Sequence, residues 1–306
     1  MSISVIIPTM NRPEDVKAAL ESLAIQTRMP DEILIIDQSP DGLTKRVTEE
    51  MSAVASLKKR LHYYFQGEKS LVKARNRGLS LAKGDILSFL DDDIVLFADY
   101  FERILDAWKK YPDAAGISGN TQVKNPMDGW RWPFRRFLNH FFLVNHYGGR
   151  MTLSGLGYPI TEKTINSVCF VEMLPGCNMN FKKTAVGNEK FDEWFQGYSY
   201  REDAEFSYRI SKKGRLLMVP DAKLFHNYST VSRLSEAQLK SMAIKNEIYV
   251  VKKFKGKGFF ASFILAYSFS GMAVMDFFEF LFKRTQDKKE KFKAGLRGIR
   301  GIFEKS

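Results

Sequence analysis

Cysteine is nearly absent. Cys169 and Cys177 are the only two in 306 residues, and neither stands in a C-x-x-C pair or a Cys/His cluster of zinc-site spacing. A disulfide framework and a structural zinc site are thereby excluded, and both thiols are expected reduced and buried. No internal repeat or low-complexity segment is present. The first apolar run, ending Val5-Ile6-Ile7, is cut by Pro8 and is too short for a signal peptide, so the folded region is expected to stay in the cytoplasm. Only one long charge-free run occurs, Phe259 to Met275, which rules out a channel of many spans.

The composition is that of a folded protein: 44% hydrophobic and 27% charged residues argue against disorder. The formal charge of +12 is uneven. From Lys252 onward 13 basic residues face 5 acidic ones, whereas residues 1–251 hold 34 against 30. A nucleic-acid enzyme spreads its basic residues along a groove; a basic tail around an apolar stretch instead suits an anionic membrane surface. The expected partner is therefore a membrane, and nucleic acid is not expected.

Short β-rich apolar runs at 3–7, 32–36, 61–65 and 85–90 alternate with helical spacing at 14–24, 45–56 and 71–82. Pro13 opens one helix and Gly84 follows another. The alternation predicts an α/β fold, Rossmann-like, with a mostly parallel sheet flanked by helices. In such sheets ligands bind beyond the carboxyl ends of the strands. The residues there are polar: Pro8, Thr9, Asn11 and Arg12 after the first run, Asp37 and Gln38 after the second, Asp91, Asp92 and Asp93 after the fourth.

Residues 124–168 break the pattern and read as an insertion. Trp130, Arg131, Trp132, Phe134, Arg135 and Arg136 interleave aromatic and basic side chains, which fits a membrane interface, an acceptor contact or a helix packed on the domain. Beyond it, 178–181 and 215–219 read as extended and 201–213 as helical.

Three consecutive carboxylates after Leu90 raise one another's pKa unless cations or donors compensate. Mg²⁺ or Mn²⁺ bridging a protein carboxylate to a diphosphate would do so. Taken alone, an acidic turn or a helix cap explains the triplet equally well.

The longer pattern narrows this. Ser-Val-Ile-Ile-Pro-Thr-Met-Asn-Arg at 4–12, Ile-Ile-Asp-Gln-Ser at 35–39, Ala-Arg-Asn-Arg-Gly at 74–78 and Phe-Leu-Asp-Asp-Asp at 89–93 resemble, in order and spacing, glycosyltransferase family 2. The resemblance continues through Pro-Gly-Cys-Asn-Met-Asn-Phe at 175–181, Arg-Glu-Asp-Ala-Glu-Phe at 201–206 and Val-Pro-Asp-Ala-Lys-Leu-Phe-His at 219–226. It implies a GT-A fold and an inverting transfer from a nucleotide-diphosphate-sugar to a hydroxyl of a glycan or lipid-linked acceptor, as in polysaccharide or cell-envelope glycan synthesis.

By this resemblance Pro8, Thr9, Asn11, Arg12, Asp37, Gln38, Arg75, Asp91 and Asp92 belong to the donor site. Asp91, Asp93 and His226 would be metal ligands for Mn²⁺ or Mg²⁺, Asp203 the catalytic base with Glu202 beside it, and Gly176, Asn178 and Asn180 the acceptor side. One departure stands out: many relatives carry two acids where this chain has Asp37-Gln38, which leaves the donor base open. A sugar nucleotidyltransferase and an inactive sugar-nucleotide or glycan-binding protein are the alternative functions.

The expected division is a catalytic domain at 1–234, comprising a nucleotide-binding half (1–123), the insertion (124–168) and an acceptor and base half (169–234), followed by a helical, basic, membrane-associated tail at 235–306. Asp276 and Glu279 interrupt the apolar run of the tail. Ser262, Ala266, Ser270, Ala273, Asp276 and Glu279 form one helical stripe, which favours peripheral or monotopic attachment at the cytoplasmic face over a lone span. The same helices offer a homo-oligomer contact. Residues 283–306, with Phe292, Leu296, Ile299 and Phe303 near helical spacing, predict a second amphipathic helix weakened by Gly295, Gly298 and Gly301.

Overall fold

The computed structural model describes residues 1–122, 131–146, 148–161, 165–229 and 234–303. Trp130 and the side chains of Arg131 and Trp132 lie outside the described residues. The chain forms two compact units: Met1–Pro126 with Ile160–Ser232, and Met127–Pro159 with Arg233–Ser306. The segment read as an insertion is thus shared between them.

The first unit is built on a mixed sheet. Strands β1 (Ile3–Thr9), β2 (Glu32–Asp37), β3 (Leu61–Phe65) and β4 (Ile86–Leu90) are parallel in the order β3-β2-β1-β4. Beyond β4 the sheet continues through β8 (Asn178–Lys182), β6 (Ala114–Gln122), β9 (Arg215–His226) and β5 (Ile94–Leu96), with β7 (Cys169–Val171) also paired to β9. Strand β8 runs antiparallel to both neighbours, and β6 and β9 are parallel.

All seven residues of β1 are buried, as a central strand covered on both faces requires, while β3 at the edge is half-exposed. Ile3, Val5 and Ile7 join α1 (Pro13–Ala24) and α4 (Tyr100–Lys110) in one core through Leu20, Phe101 and Ile104. Ile6 meets α3 (Leu71–Leu81), which lies so close that a Cβ on Gly78 would sit 2.3 Å from Ile6 Cγ2. Helix α2 (Leu43–Met51) stops short of the predicted Ser56 because its hydrogen bonds tighten to three-residue turns, Ala53 to Glu50 and Val54 to Met51. After β8 come α6 (Lys183–Val186) and α7 (Glu202–Ser211).

The register positions the site. Thr9 pairs with Asp37, Leu90 with Asn178 and Ile94 with His226, so the ends of β1, β2, β4 and β9 meet along one rim.

The second unit is helical. Helices α5 (Arg131–Phe141), α8 (Glu236–Lys255), α9 (Phe259–Lys283) and α10 (Gln286–Phe303) enclose a core of Leu156, Ile244, Val251, Leu265, Phe269 and Ile302, among others. A capping box between Ser235 and Gln238 starts α8. Two glycines allow close helix approach. A Cβ on Gly271 would lie 2.0 Å from the Phe142 ring, and one on Gly298 would lie 2.6 Å from Ile244 Cγ2. Gly298, read from sequence as a weakness, therefore lets α10 pack on α8.

The packed face of α9 shares only Ala273 and Asp276 with the stripe of Ser262, Ala266, Ser270, Ala273, Asp276 and Glu279. Leu265, Ser268, Phe269, Met272, Ala273 and Asp276 are buried, whereas Ser270 is exposed, because large apolar residues fill the core between helices.

Candidate active site

The acidic triplet at the end of β4 is compensated, because each carboxylate has a different nearest cation, with Arg12 also 3.8 Å from Asp93 Oδ2. Arg75 from α3 reaches Asp91 Oδ1 at 3.1 Å. Arg12 donates to Asp92 Oδ1 at 2.9 Å, and the Thr9 hydroxyl donates to Asp92 Oδ2 at 2.7 Å. His226 Nε2 stands 2.9 Å from Asp93 Oδ1, and Asp93 Oδ2 accepts from the Ser229 N–H at 2.9 Å. Burial pushes the Asp91 carboxyl up against the pull of Arg75, and pushes Asp92 up to about 7 against Arg12 and Thr9. Burial works against the His226 imidazolium, yet Cys177 and Asp93 push it up to about 12.

Asp91, Asp93 and His226 form a ligand set whose donor atoms all lie within 4.8 Å of one another. Two carboxylates and one imidazole suit a divalent cation that also takes phosphate oxygens. Asp93 Oδ1 supports the fit: it is sealed from solvent and has no well-aligned hydrogen bond, despite its closeness to His226. A cation entering here would compete with the His226 proton.

Arg75 is 1% exposed and is the hub of the site. It binds Glu202 Oε1 at 2.5 Å and the Gly176 carbonyl at 3.1 Å, and its guanidinium lies 5.5 Å from the Phe191 ring centre. Burial pushes Glu202 up to about 8, opposed by Arg75. Arg75, expected among the donor-site residues, is buried and ion-paired to Glu202 and Asp91.

Asp203 opens α7 beside Glu202. Its Oδ2 accepts from Gly176 N at 2.9 Å and its Oδ1 from Ala204 N at 2.8 Å. Gly176 must be small: a Cβ there would lie 3.0 Å from Asp203 Oδ2 and 3.3 Å from the Arg75 guanidinium. The backbone is strained around this rim, with Asn11 (φ 58°), Ser199 (φ 54°), Arg201 (φ 83°) and Tyr228 (φ 48°) all in the left-handed region that non-glycine residues seldom occupy.

Other expected residues take inward positions. Asp37 is fully buried and accepts from Ser39 and from the Tyr63 hydroxyl at 2.8 Å. Gln38 N donates to Thr9 O, and its side-chain oxygen accepts from Ser70 N. Pro8 is buried in β1 opposite Ile36, while Asn11 donates through its backbone to Ser39 Oγ. Asn178 and Asn180, expected on the acceptor side, lie fully buried within the sheet. Asn178 Oδ1 accepts from Ser118 and Gly119, and Asn180 Nδ2 donates to Tyr100 and to the Ile117 carbonyl, while Asn180 Oδ1 is buried without a hydrogen-bond partner among the described residues.

Sequence reading missed Tyr63, Phe191, Tyr228 and Ser229. Tyr63 was accessible through register, since it pairs with Ile35 two residues before Asp37. Tyr228 stacks on His226 with ring centres 4.0 Å apart, and Phe191 lies in an irregular loop; neither leaves a periodic signal.

A mixed α/β sheet with acids and a histidine gathered at its strand ends defines the class of the fold. The sequence model for "Glycosyl transferase family 2" matches residues 4–171, more than half of the chain, and the chain belongs to that family. An uncharacterized glycosyltransferase of Rickettsia felis is 38% identical over 100 residues, covering 33% of this chain and 16% of the relative. One of Haemophilus influenzae is 31% identical over 157 residues, covering 48% and 50%. The chain thus matches between about a sixth and half of the length of these curated relatives.

Among solved structures, the mannosyltransferase PcManGT of Pyrobaculum calidifontis, in complex with GDP-Man and Mn²⁺, superposes with a TM-score of 0.61 at 15% identity over 99% of this chain and 88% of its own. S. aureus TarS 1–349 with UDP gives 0.59 at 14%, covering 99% and 81%. At such identities these likenesses establish the GT-A-like fold.

Proposed function

We propose that this chain is an inverting glycosyltransferase that moves a sugar from a nucleotide-diphosphate-sugar to a hydroxyl of a glycan or lipid-linked acceptor. The observation that carries the reading is the convergence, through Arg75 and Gly176, of the Asp91–Asp93–His226 ligand set with Asp203. Family membership and the metal-bound complex of PcManGT support it.

In this reading Asp91, Asp93 and His226 hold Mn²⁺ or Mg²⁺, which when bound neutralises the donor diphosphate. Asp203 takes the proton of the acceptor hydroxyl as its oxygen attacks the anomeric carbon from the side opposite the departing nucleoside diphosphate. Both Asp203 oxygens already accept one backbone N–H and retain lone pairs for that proton. Arg75 keeps Glu202 and Asp91 paired and so fixes Gly176 and Asp203 in place. Thr9, Arg12 and Asp92 fix the loop after β1, and Asp37 with Gln38 fixes the loop after β2. The basic helical part provides peripheral attachment at the cytoplasmic face of a membrane.

The test is product analysis with a panel of nucleotide-sugars and hydroxyl acceptors. Free nucleoside diphosphate released in step with acceptor glycosylation supports transfer. Pyrophosphate release indicates a nucleotidyltransferase, and donor binding without turnover indicates a binding protein; either outcome refutes the proposal.

A further inference from the structure

The charge of the chain divides along its two units. Residues 127–159 and 233–306 hold 20 Lys and Arg against 8 Asp and Glu, whereas the remainder holds 27 of each, so the whole +12 belongs to the helical unit. The same unit exposes large apolar side chains in a row. On α9, Phe259, Phe263, Val274, Phe277, Phe278 and Leu281 follow helical spacing and are 39–80% exposed. On α5, Phe134, Phe137 and Phe141 are 56–63% exposed at helical spacing. The rows adjoin, for the Phe141 ring lies 6.1 Å from Tyr267, one turn beyond Phe263, and the Tyr267 hydroxyl donates to the Phe141 carbonyl at 3.0 Å.

Among the described residues α9 alone is long and apolar enough to cross a membrane, but its other face is tied down. Asp276 pairs with Lys240 of α8 at 3.0 Å and with Lys291 of α10 at 3.4 Å. Glu279 pairs with Lys288 at 2.7 Å and Lys291 at 2.8 Å, and Lys288 also reaches Glu236. A spanning α9 would have to break these pairs in hydrocarbon or take α8 and α10 with it, and both are too polar to follow.

We propose that α9 lies in the plane of an anionic bilayer, and that its aromatic row and that of α5 insert together as one wedge. This rests on the reading of the helical unit as the membrane attachment, and adds its orientation and the participation of α5. Charge selects the occupant. A second copy would bring +12 against +12, whereas exposed Lys255 and Lys257 before α9 and Lys283, Arg284 and Lys289 after its apolar row complement anionic headgroups.

The test is cosedimentation of the full chain with phosphatidylcholine vesicles, with and without phosphatidylglycerol. Wild type should bind only the anionic vesicles. Phe134→Ser/Phe137→Ser on α5 and Phe263→Ser/Phe278→Ser on α9 should each lose at least about tenfold in partitioning, with circular dichroism unchanged. Phe263→Trp and Phe278→Trp should then be quenched by brominated lipids at the same shallow depth, although about 22 Å of helix separates them. Failure of wild type to bind sinks the attachment reading itself. Normal binding by the α5 variant sinks the shared wedge alone. Two different quenching depths show a tilted or spanning α9, and a lipid-free dimer abolished by the α9 substitutions shows that the row covers a second copy; either overturns the proposal.

Discussion

Replacing Asp203 by Asn should separate chemistry from donor binding if Asp203 is the proposed base. Both carboxylate oxygens accept backbone N–H groups, from Gly176 at 2.9 Å and from Ala204 at 2.8 Å. An amide offers one acceptor oxygen, so its NH₂ must face one of those N–H groups. The unmade hydrogen bond in this half-buried place costs on the order of 1–2 kcal/mol, which leaves a folded protein. Transfer should suffer more, since loss of a positioned general base removes roughly 10²–10⁴ in rate, or about 3–5 kcal/mol of barrier lowering. The assay pairs single-turnover transfer with calorimetric donor binding on the same preparation. Donor affinity should stay within about threefold of wild type while transfer falls by at least about a hundredfold. An equal loss in both would mean that Asp203 supports the donor pocket and that the base lies elsewhere.

Arg75→Met strands the buried Glu202 and the half-buried Asp91 and should destabilise the chain by about 3–5 kcal/mol in denaturant unfolding, with Glu202→Met in the same chain restoring part of the loss. An unchanged midpoint would contradict the hub role. In the helical unit, Glu279 is held down to about 2 by Lys288 and Lys291 despite partial burial. Its native pKa is below the unfolded value, so its contribution is present above about pH 4.5 and fades as the pH falls toward 2. Glu279→Gln should therefore cost clearly more thermal stability at pH 6 than at pH 3; an equal cost at both would refute the pairing. Gly298→Ala should destabilise by about 1–3 kcal/mol through the 2.6 Å approach to Ile244, whereas Gly301→Ala, whose added Cβ meets nothing closer than 3.9 Å, should be neutral or stabilise by up to about 1 kcal/mol. Equal effects would show that helix propensity, not packing, decides both.

The parallel half was legible because a parallel sheet buries its strands on both faces. The runs at 3–7 and 32–36 are aliphatic at four of five positions each, and the structure extends them to Thr9 and Asp37. The candidate metal-ligand trio could be named from a motif, but its assembly depends on β9 running antiparallel to β5 with Ile94 opposite His226, a long-range register that no local pattern encodes. The burial of Asn178 and Asn180 was illegible for the same reason. Their spacing of two puts both side chains on one face of β8, and only the neighbours β4 and β6 decide that this face is interior. Arg75 was placed at the donor site by resemblance alone, and no local pattern showed its ion pairs. Its actual partners, Glu202 and Asp91, lie 127 and 16 residues away in sequence.

Calorimetry with uridine, thymidine, guanosine and cytidine diphosphates, in Mn²⁺ or Mg²⁺ and again with chelator, tests the central claim most directly when run on wild type and Asp93→Asn. One nucleotide should bind with metal, lose at least about tenfold in affinity in chelator, and bind Asp93→Asn as weakly as chelated wild type. Equal affinity with and without metal, or an Asp93→Asn protein that binds like wild type, would contradict a donor site built on Asp91, Asp93 and His226.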